Sequence, residues 1–316
     1  MKILVTGGCG YKGSVLIPLL LVDGHRVINI DTQWFGNALP EQPQLTNLKL
    51  DVRDTDAIPL DGVEAIIHLA NIANDPAVEL NPTLSWEVNV LAGQQLADRA
   101  MRAGVKQFIY ASSGSVYGVK DEPKVTEELT LVPISVYNKT KMVAERVFIS
   151  YADRMQVHCI RPATVCGLSP RMRLDVSVNM LTYQGLKNGK ITVFGGEQTR
   201  PNIHIQDIAN VYRHFLDHPK LPSGCYNAGF ENLRIGEIAN RVKESTGAEV
   251  IISESNDPRS YRQDSSKLLA TGFKQQYSVQ TAIEEISEAY SNGSLSEGEN
   301  CYTVKWMKHL QLDAQI

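Results

Sequence analysis

The sequence predicts an α/β protein with a doubly wound parallel sheet and a smaller α/β C-terminal lobe, and three observations carry that reading. KILVT, a β-branched apolar strand, runs straight into GGCGYKG and then into the amphipathic SVLIPLLLVDG. A second strand, RVINI, ends in Asp31, about 20 residues beyond the glycines. Short apolar strands then alternate with helical periodicity: LKLDV at 48–52, AIIHLA at 65–70, QFIYASS at 107–113 and VHCIRPATV at 157–165, with helices expected over 83–103 and 136–153.

In the first unit, Gly7, Gly10 and Gly13 leave no side chain where backbone must approach a pyrophosphate or a helix must pack closely on a strand. The helix N-terminus that follows attracts the anion. Asp31 is placed to hydrogen-bond the adenosine ribose hydroxyls and to repel a 2′-phosphate, which favours NAD over NADP. The fold expected is therefore Rossmann-type. After residue 166 the rhythm changes: glycine, proline and arginine crowd CGLSPRMRLD and FGGEQTRPNIHIQD, segments suited to the walls of a pocket. A helix near 176–188, strands near 190–194 and 201–205 and a helix from Asp207 to His218 follow, then helical patterns at 235–247 and 279–291 around the strand EVIIS. The division expected is a dinucleotide domain over 1–166 plus about 201–234, a substrate lobe over 167–200 and 235–300, and a tail over 301–316, with SNGSLSEGENCY polar and mobile before it.

Composition narrows the class. With 316 residues, 43% apolar, the chain has ample material for a core, and a net charge of -4 without a basic run argues against nucleic acid or an anionic membrane as partner. Cys9, Cys159, Cys166, Cys225 and Cys301 are scattered without a CxxC pair and read as reduced thiols. His68, His158, His204, His214 and His218 share no ligand spacing with cysteines or carboxylates, so no metal is expected. The first strand starts at Met1, leaving no room for a signal peptide, and no apolar run approaches the ~20 residues of a membrane span. A cytoplasmic enzyme is expected.

Tyr137 and Lys141, in SVYNKTK, lie four residues apart and so on one face of a helix, where they can share a ligand. A phenol titrates near pH ~10, so a phenolate base working near neutrality needs roughly 4 kcal/mol of stabilisation. An ammonium one turn away is placed to supply part of it. In the same helix Val136, Thr140, Val143, Val147 and Tyr151 form an apolar stripe, and leftover apolar surface on the 83–103 and 136–153 helices suits a homodimer interface.

GGCGYKG, Asp31, the Asp51-Val52 pair, HLA at 68–70, SSGSVYG at 112–118 and YNKTK at 137–141 resemble the extended short-chain dehydrogenase/reductases, and within them the NAD-dependent nucleotide-sugar epimerases and dehydratases. RPNIHIQDIA at 200–209, YNAGFENLRIGEIA at 226–239 and DSSKLLATGF at 264–273 extend the resemblance over nearly the whole chain. The resemblance implies a catalytic triad of Ser113, Tyr137 and Lys141, with Ser113 on the reacting sugar hydroxyl, Tyr137 as base and Lys141 holding the nicotinamide ribose. It implies that the loop through Tyr11 and Lys12 meets the pyrophosphate and that Asp51 and Val52 flank the adenine. Leu69, Ala70, Asn71 and Asn89 fall on the ribose side, and Pro162 near the nicotinamide. On the substrate side it points to Ser115, Thr164, Asn179, Arg200 and Arg259, the two arginines as clamps for a nucleotide diphosphate.

The implied chemistry is transient oxidation, most often at the sugar C4. Return of the hydride to the other face gives an epimerase, and release of the keto-sugar gives a dehydrogenase or, in reverse, a ketoreductase of a surface-polysaccharide pathway. A 4,6-dehydratase is disfavoured, because Gly114 and Ser115 stand where such enzymes usually carry Asp-Glu. A non-catalytic NAD sensor or scaffold on the same fold is the alternative of another class. Three departures from the family pattern stand out. Lys12 replaces an apolar residue of the glycine loop, Thr164 replaces an asparagine, and SPRMRLD brings Arg171 and Arg173 to the pocket mouth, where they can read a carboxylate or phosphate on the substrate.

Overall fold

The computed structural model describes residues 1–254 and 260–313. Its first half winds β1 (Lys2–Thr6), α1 (Gly13–Val22), β2 (Arg26–Asp31), β3 (Leu45–Lys49) and β4 (Ala65–His68), followed by α2 (Asp75–Leu80), α3 (Pro82–Trp86), a π-turn over Glu87–Leu91, α4 (Ala92–Arg102), β5 (Gln107–Ala111) and α5 (Val136–Ile149). The second half runs β6 (Gln156–Pro162), β7 (Thr164–Cys166), α6 (Ser177–Asn188), β8 (Lys190–Phe194), β9 (Thr199–His204), α7 (Ile205–Asp217), β10 (Gly224–Ala228), β11 (Glu231–Arg234), α8 (Ile235–Thr246), β12 (Glu249–Ser253), α9 (Ser266–Leu269), α10 (Val279–Ser291) and α11 (Thr303–His309).

Seven strands form one parallel sheet in the order β10-β6-β5-β4-β1-β2-β3. The winding direction reverses between β1 and β4, and the crevice at the carboxyl ends of these two strands is where such sheets receive ligands. Burial explains the strand compositions: Ile3, Leu4 and Val5, Ile66 and Ile67, and Phe108 and Ile109 are fully enclosed, since helices cover both faces. The backbone closes tightly at the switch point. A Cβ on Gly7, whose φ is +73°, would lie 2.6 Å from the Ala70 nitrogen, and one on Gly13 would lie 2.4 Å from the Gly8 Cα.

Several boundaries differ from expectation for identifiable reasons. The strand expected over 48–52 ends at Lys49, where its pairing with β2 stops opposite Asp31, and this leaves Asp51 and Val52 in the loop beyond. VHCIRPATV is two strands: Pro162 ends β6, and Thr164–Cys166 joins a separate sheet ordered β11-β9-β7. The helix expected over 83–103 is broken into α3, a π-turn and α4, after a further helix, α2. Asn74 and Asn81 cap α2 and α3 by accepting from the amides of Ala77 and Leu84. Residues 201–234 divide, with β10 in the large sheet and β9 and β11 in the small one. The lobe packs α6, α8 and α10 against the two-stranded β8–β12 sheet, and Gly189 and Gly247 end α6 and α8 in the left-handed conformation. The segment set apart as a tail folds back instead. Cys301 is buried, and Val304 and Met307 of α11 pack with the core beside Trp34 and Phe35.

One buried network ties α5 to the sheet. Glu145 accepts from Arg161 Nε and an Nη at 2.8 Å each and from Ser112 Oγ at 2.5 Å, while Arg161 also donates to Tyr117 Oη at 2.7 Å. Both charged side chains are enclosed, so each depends on the other for its compensation. Glu145→Gln leaves the Arg161 charge unmatched, and urea titration should show a loss of roughly 3 kcal/mol. A loss under ~1 kcal/mol would show that the pair does not hold α5 in place.

Candidate active site

The crevice at the switch point is a cavity of about 1010 Å³, walled by the glycine loop, the ends of β2 and β4, the start of α5, the 162–177 segment and α11. Of the residues singled out from sequence, Gly7, Gly10, Tyr11, Lys12, Gly13, Asp31, Asp51, Val52, Leu69, Ala70, Asn71, Ser113, Ser115, Tyr137, Pro162, Thr164 and Arg200 all line it.

Local structure aims each group. Ser135 caps α5 by accepting from the Asn138 amide at 3.1 Å, which starts the helix one turn before Lys141 and places Tyr137 at its mouth. Ser113 follows β5 in extended conformation, and its Oγ lies 2.8 Å from that of Ser115. Lys141 is 2% exposed and lies behind the wall, its Nζ donating to the Ala111 carbonyl at 2.6 Å, above the Tyr110 ring and 5.9 Å from the Tyr137 ring centre. Burial pushes the Tyr137 phenol up to about 12, while a hydrogen bond with Ser113 and the charge of Arg173 pull it down. Lys141 is not among the main influences on the phenol: one of its ammonium hydrogens goes to Ala111 O, and burial and the Lys12 charge drive its own pKa down.

Two expectations about the asparagines are corrected. Asn89 does not face the cavity: its carboxamide accepts from the Ile72 amide at 2.8 Å and donates to Ile72 O and Thr140 Oγ1 at 3.1 Å each, so it fastens the loop after β4 to α5. The π-turn rotates it inward. Asn179 is fully buried and bridges Tyr11 Oη at 2.9 Å, the backbone of Gly167 and Arg173 O, a structural joint between the glycine loop and the lobe. Asp51 does line the cavity, and its carboxylate is held by Arg53, which lowers its pKa against the opposing effect of burial. Arg259 lies outside the described residues.

The donor set fits a dinucleotide. At one end the Asp31 carboxylate, fixed by the Cys9 and Gln33 amides at 2.9 and 2.7 Å, offers acceptor oxygens to a ribose diol. Beside it lies a cation surplus. Lys12 has no hydrogen-bond or ion-pair partner among the described residues, and Arg173 holds only Asp175, at 2.8 Å. Burial and the Arg173 charge lower the Lys12 ammonium to about 8. Among the described residues no group of three or more His, Cys, Asp or Glu side chains is placed to hold a metal ion, and no helix is long and apolar enough to cross a membrane.

A family described as the NAD dependent epimerase/dehydratase family matches residues 3–229. The chain belongs to this family. Its cofactor is accordingly NAD. It is 32% identical over 266 residues to an uncharacterized UDP-glucose epimerase of Bacillus subtilis (strain 168), covering 78% of this chain and 83% of that one. A UDP-glucose 4-epimerase of Lactobacillus helveticus is 26% identical over 302 residues, 84% of this chain and 89% of that protein. Among solved structures, a UDP-glucuronic acid 4-epimerase from Bacillus cereus, in complex with UDP-glucuronic acid and NAD, superposes with a TM-score of 0.80 at 25% identity, covering 92% of this chain and 99% of that one.

For this epimerase/dehydratase-family chain, sequence reasoning passed over Trp34 and Phe35, Asp75, Asp175, Tyr261 and the 302–308 face of α11, all of which wall the cavity. Trp34 and Phe35 follow Asp31 by one short turn and were legible from that position; α11 carries no motif. Lys12 generates a prediction. Its folded pKa of about 8 lies below the ordinary 10.5, so at pH 9 it is largely neutral, and an anion bound beside it restores the charge. NAD binding at pH 9 should therefore take up protons, seen as a dependence of the calorimetric heat on buffer ionisation enthalpy, and Lys12→Met should abolish that dependence. Equal uptake in the variant would remove Lys12 from the anion site.

Proposed function

We propose that the chain is an NAD-dependent nucleotide-sugar epimerase working by transient oxidation at C4 of the hexose. The observation that carries this is the placement of Ser113 and Tyr137 on one cavity wall, with Lys141 enclosed behind them and the glycine loop opposite. Bound NAD supplies the hydride acceptor and then the donor. Ser113 orients the reacting hydroxyl, and Tyr137 Oη takes its proton and later returns it. Lys141, beside the Tyr137 ring, is the group assigned to the nicotinamide ribose. Arg200, at the lobe side of the same cavity, is assigned to the substrate diphosphate, with Ser115 and Thr164 nearer the sugar. Inversion needs the ketone to turn over without leaving, and the enclosing lobe of α6, α8 and α10 supports retention.

Proton NMR with UDP-, GDP-, dTDP- and CDP-hexoses and trace NAD⁺ should show a new anomeric signal growing to a fixed ratio without accumulating NADH. Conversion only with stoichiometric nicotinamide would instead establish a C4 dehydrogenase or ketoreductase. Tyr137→Phe should lower turnover by roughly 10²–10⁴-fold while NAD still binds. Turnover equal to wild type would favour a non-catalytic NAD-binding protein.

The same reading includes a cytoplasmic homodimer formed through the helical segments near 83–103 (α3, the π-turn and α4) and 136–153 (α5). Exposed Trp86 and Leu91 beside α4 support it, Leu91 being 52% exposed. Light scattering should give twice the 35.0 kDa chain mass. A monomer at micromolar concentration would sink the interface.

A further inference from the structure

We propose that Arg171 is a dinucleotide-binding residue that meets the cofactor's phosphates from the side opposite the glycine loop, and that α11 covers the adenosine half of the same site. The inference goes beyond the assigned reaction, since it concerns how NAD is held and released.

Arg171 is 7% exposed, yet it faces the cavity, and its Nε has no hydrogen-bond partner. Among the described residues no carboxylate reaches it. Asp175 belongs to Arg173, and Asp31 is occupied by the Cys9 and Gln33 amides. Its guanidinium carbon lies 4.0 Å over the Phe35 ring, and one Nη is 3.5 Å from Thr303 Oγ1. A ring face and a hydroxyl offset little of the several kcal/mol that burying a cation costs, so the site is complete only with an anion.

The backbone says which anion. The Arg171 amide approaches Ser14 Oγ at 3.4 Å, in the first turn of α1, and Ser169 Oγ donates to the Tyr11 carbonyl at 2.8 Å. The 169–171 segment thus lies directly across the loop that would carry the pyrophosphate. Beyond it, α11 and the turn before it are fastened to the loop after β2 and to the 174–175 segment. Trp306 Nε1 donates to Trp34 O at 2.5 Å, the Thr303 amide donates to Asp175 at 2.9 Å, and Leu174 N donates to Cys301 O at 2.9 Å. Thr303, Val304 and Met307 line the same cavity as Asp31 and Val52, and Val304 and Met307 belong to the same apolar cluster as Val52.

Calorimetry of the nucleotide-stripped full chain with NAD, ADP and adenosine separates the roles. Arg171→Met should weaken NAD and ADP by about tenfold or more and adenosine by less than about twofold, because adenosine has no phosphate. Arg171→Lys should recover part of the ADP loss. Trp306→Ala should weaken adenosine as well and speed NAD release in a trapping experiment. Equal losses for ADP and adenosine in Arg171→Met would make the arginine a packing residue only. Wild-type affinity for ADP in that variant, or unchanged adenosine binding and NAD release in Trp306→Ala, would overturn the proposal.

Discussion

The carboxylate of Glu145, enclosed one helical turn beyond Lys141, is the contact on which the catalytic wall depends. It accepts from Arg161 on β6 and from Ser112 at the end of β5, so one side chain joins α5 to two adjacent strands. Because Tyr137, Lys141 and Glu145 recur at four-residue intervals, anchoring the last sets the rotation of the helix and thereby the aim of the first. Arg161 passes the constraint on through Tyr117 Oη to Asn227 on β10, whose amide in turn holds Val125 O and Asp264 O. A pair this enclosed is costly to separate, and that cost resists loss of the geometry.

Opposite this rigid wall the cavity is electrostatically unbalanced. Lys12, Arg171 and Arg173 face it, and among the described residues Asp175 is the carboxylate paired with this group, while Asp31 beside them is held by backbone amides. Burial lowers the Lys12 and Arg171 pKa values to about 8 and about 10, the direction expected where cations are gathered without counter-charge. This distribution suits a dinucleotide with its diol at the acid and its phosphates at the cations, as proposed above.

The strand, glycine loop and helix of the first unit were legible because local chemistry sets them. Apolar β-branched runs must be buried, and only glycine accommodates backbone contacts such as Gly7 against Ala70. The Tyr137–Lys141 spacing was legible for the same reason, since helical period alone puts both on one face. Asn89 and Asn179 were assigned to ligands, yet each satisfies backbone groups inside the protein. A carboxamide reads identically in either role until its neighbours are known. Boundaries slipped where pairing decided them, as where β3 ends opposite Asp31 or β6 hands over to β7 at Pro162.

By itself, then, the sequence determined the α/β class, the glycine loop, the acid at the end of the second strand and the helix bearing the tyrosine and lysine. Each rests on residues near one another along the chain. The tertiary structure decided what depends on distant segments meeting. It committed Lys141 to the Ala111 carbonyl, enclosed Arg171 between Phe35 and Thr303, and turned the last helix into a wall of the cavity. Charge compensation and burial arise only between residues brought together by folding, and Phe35 and Thr303 meet Arg171 across long stretches of chain that no local periodicity connects.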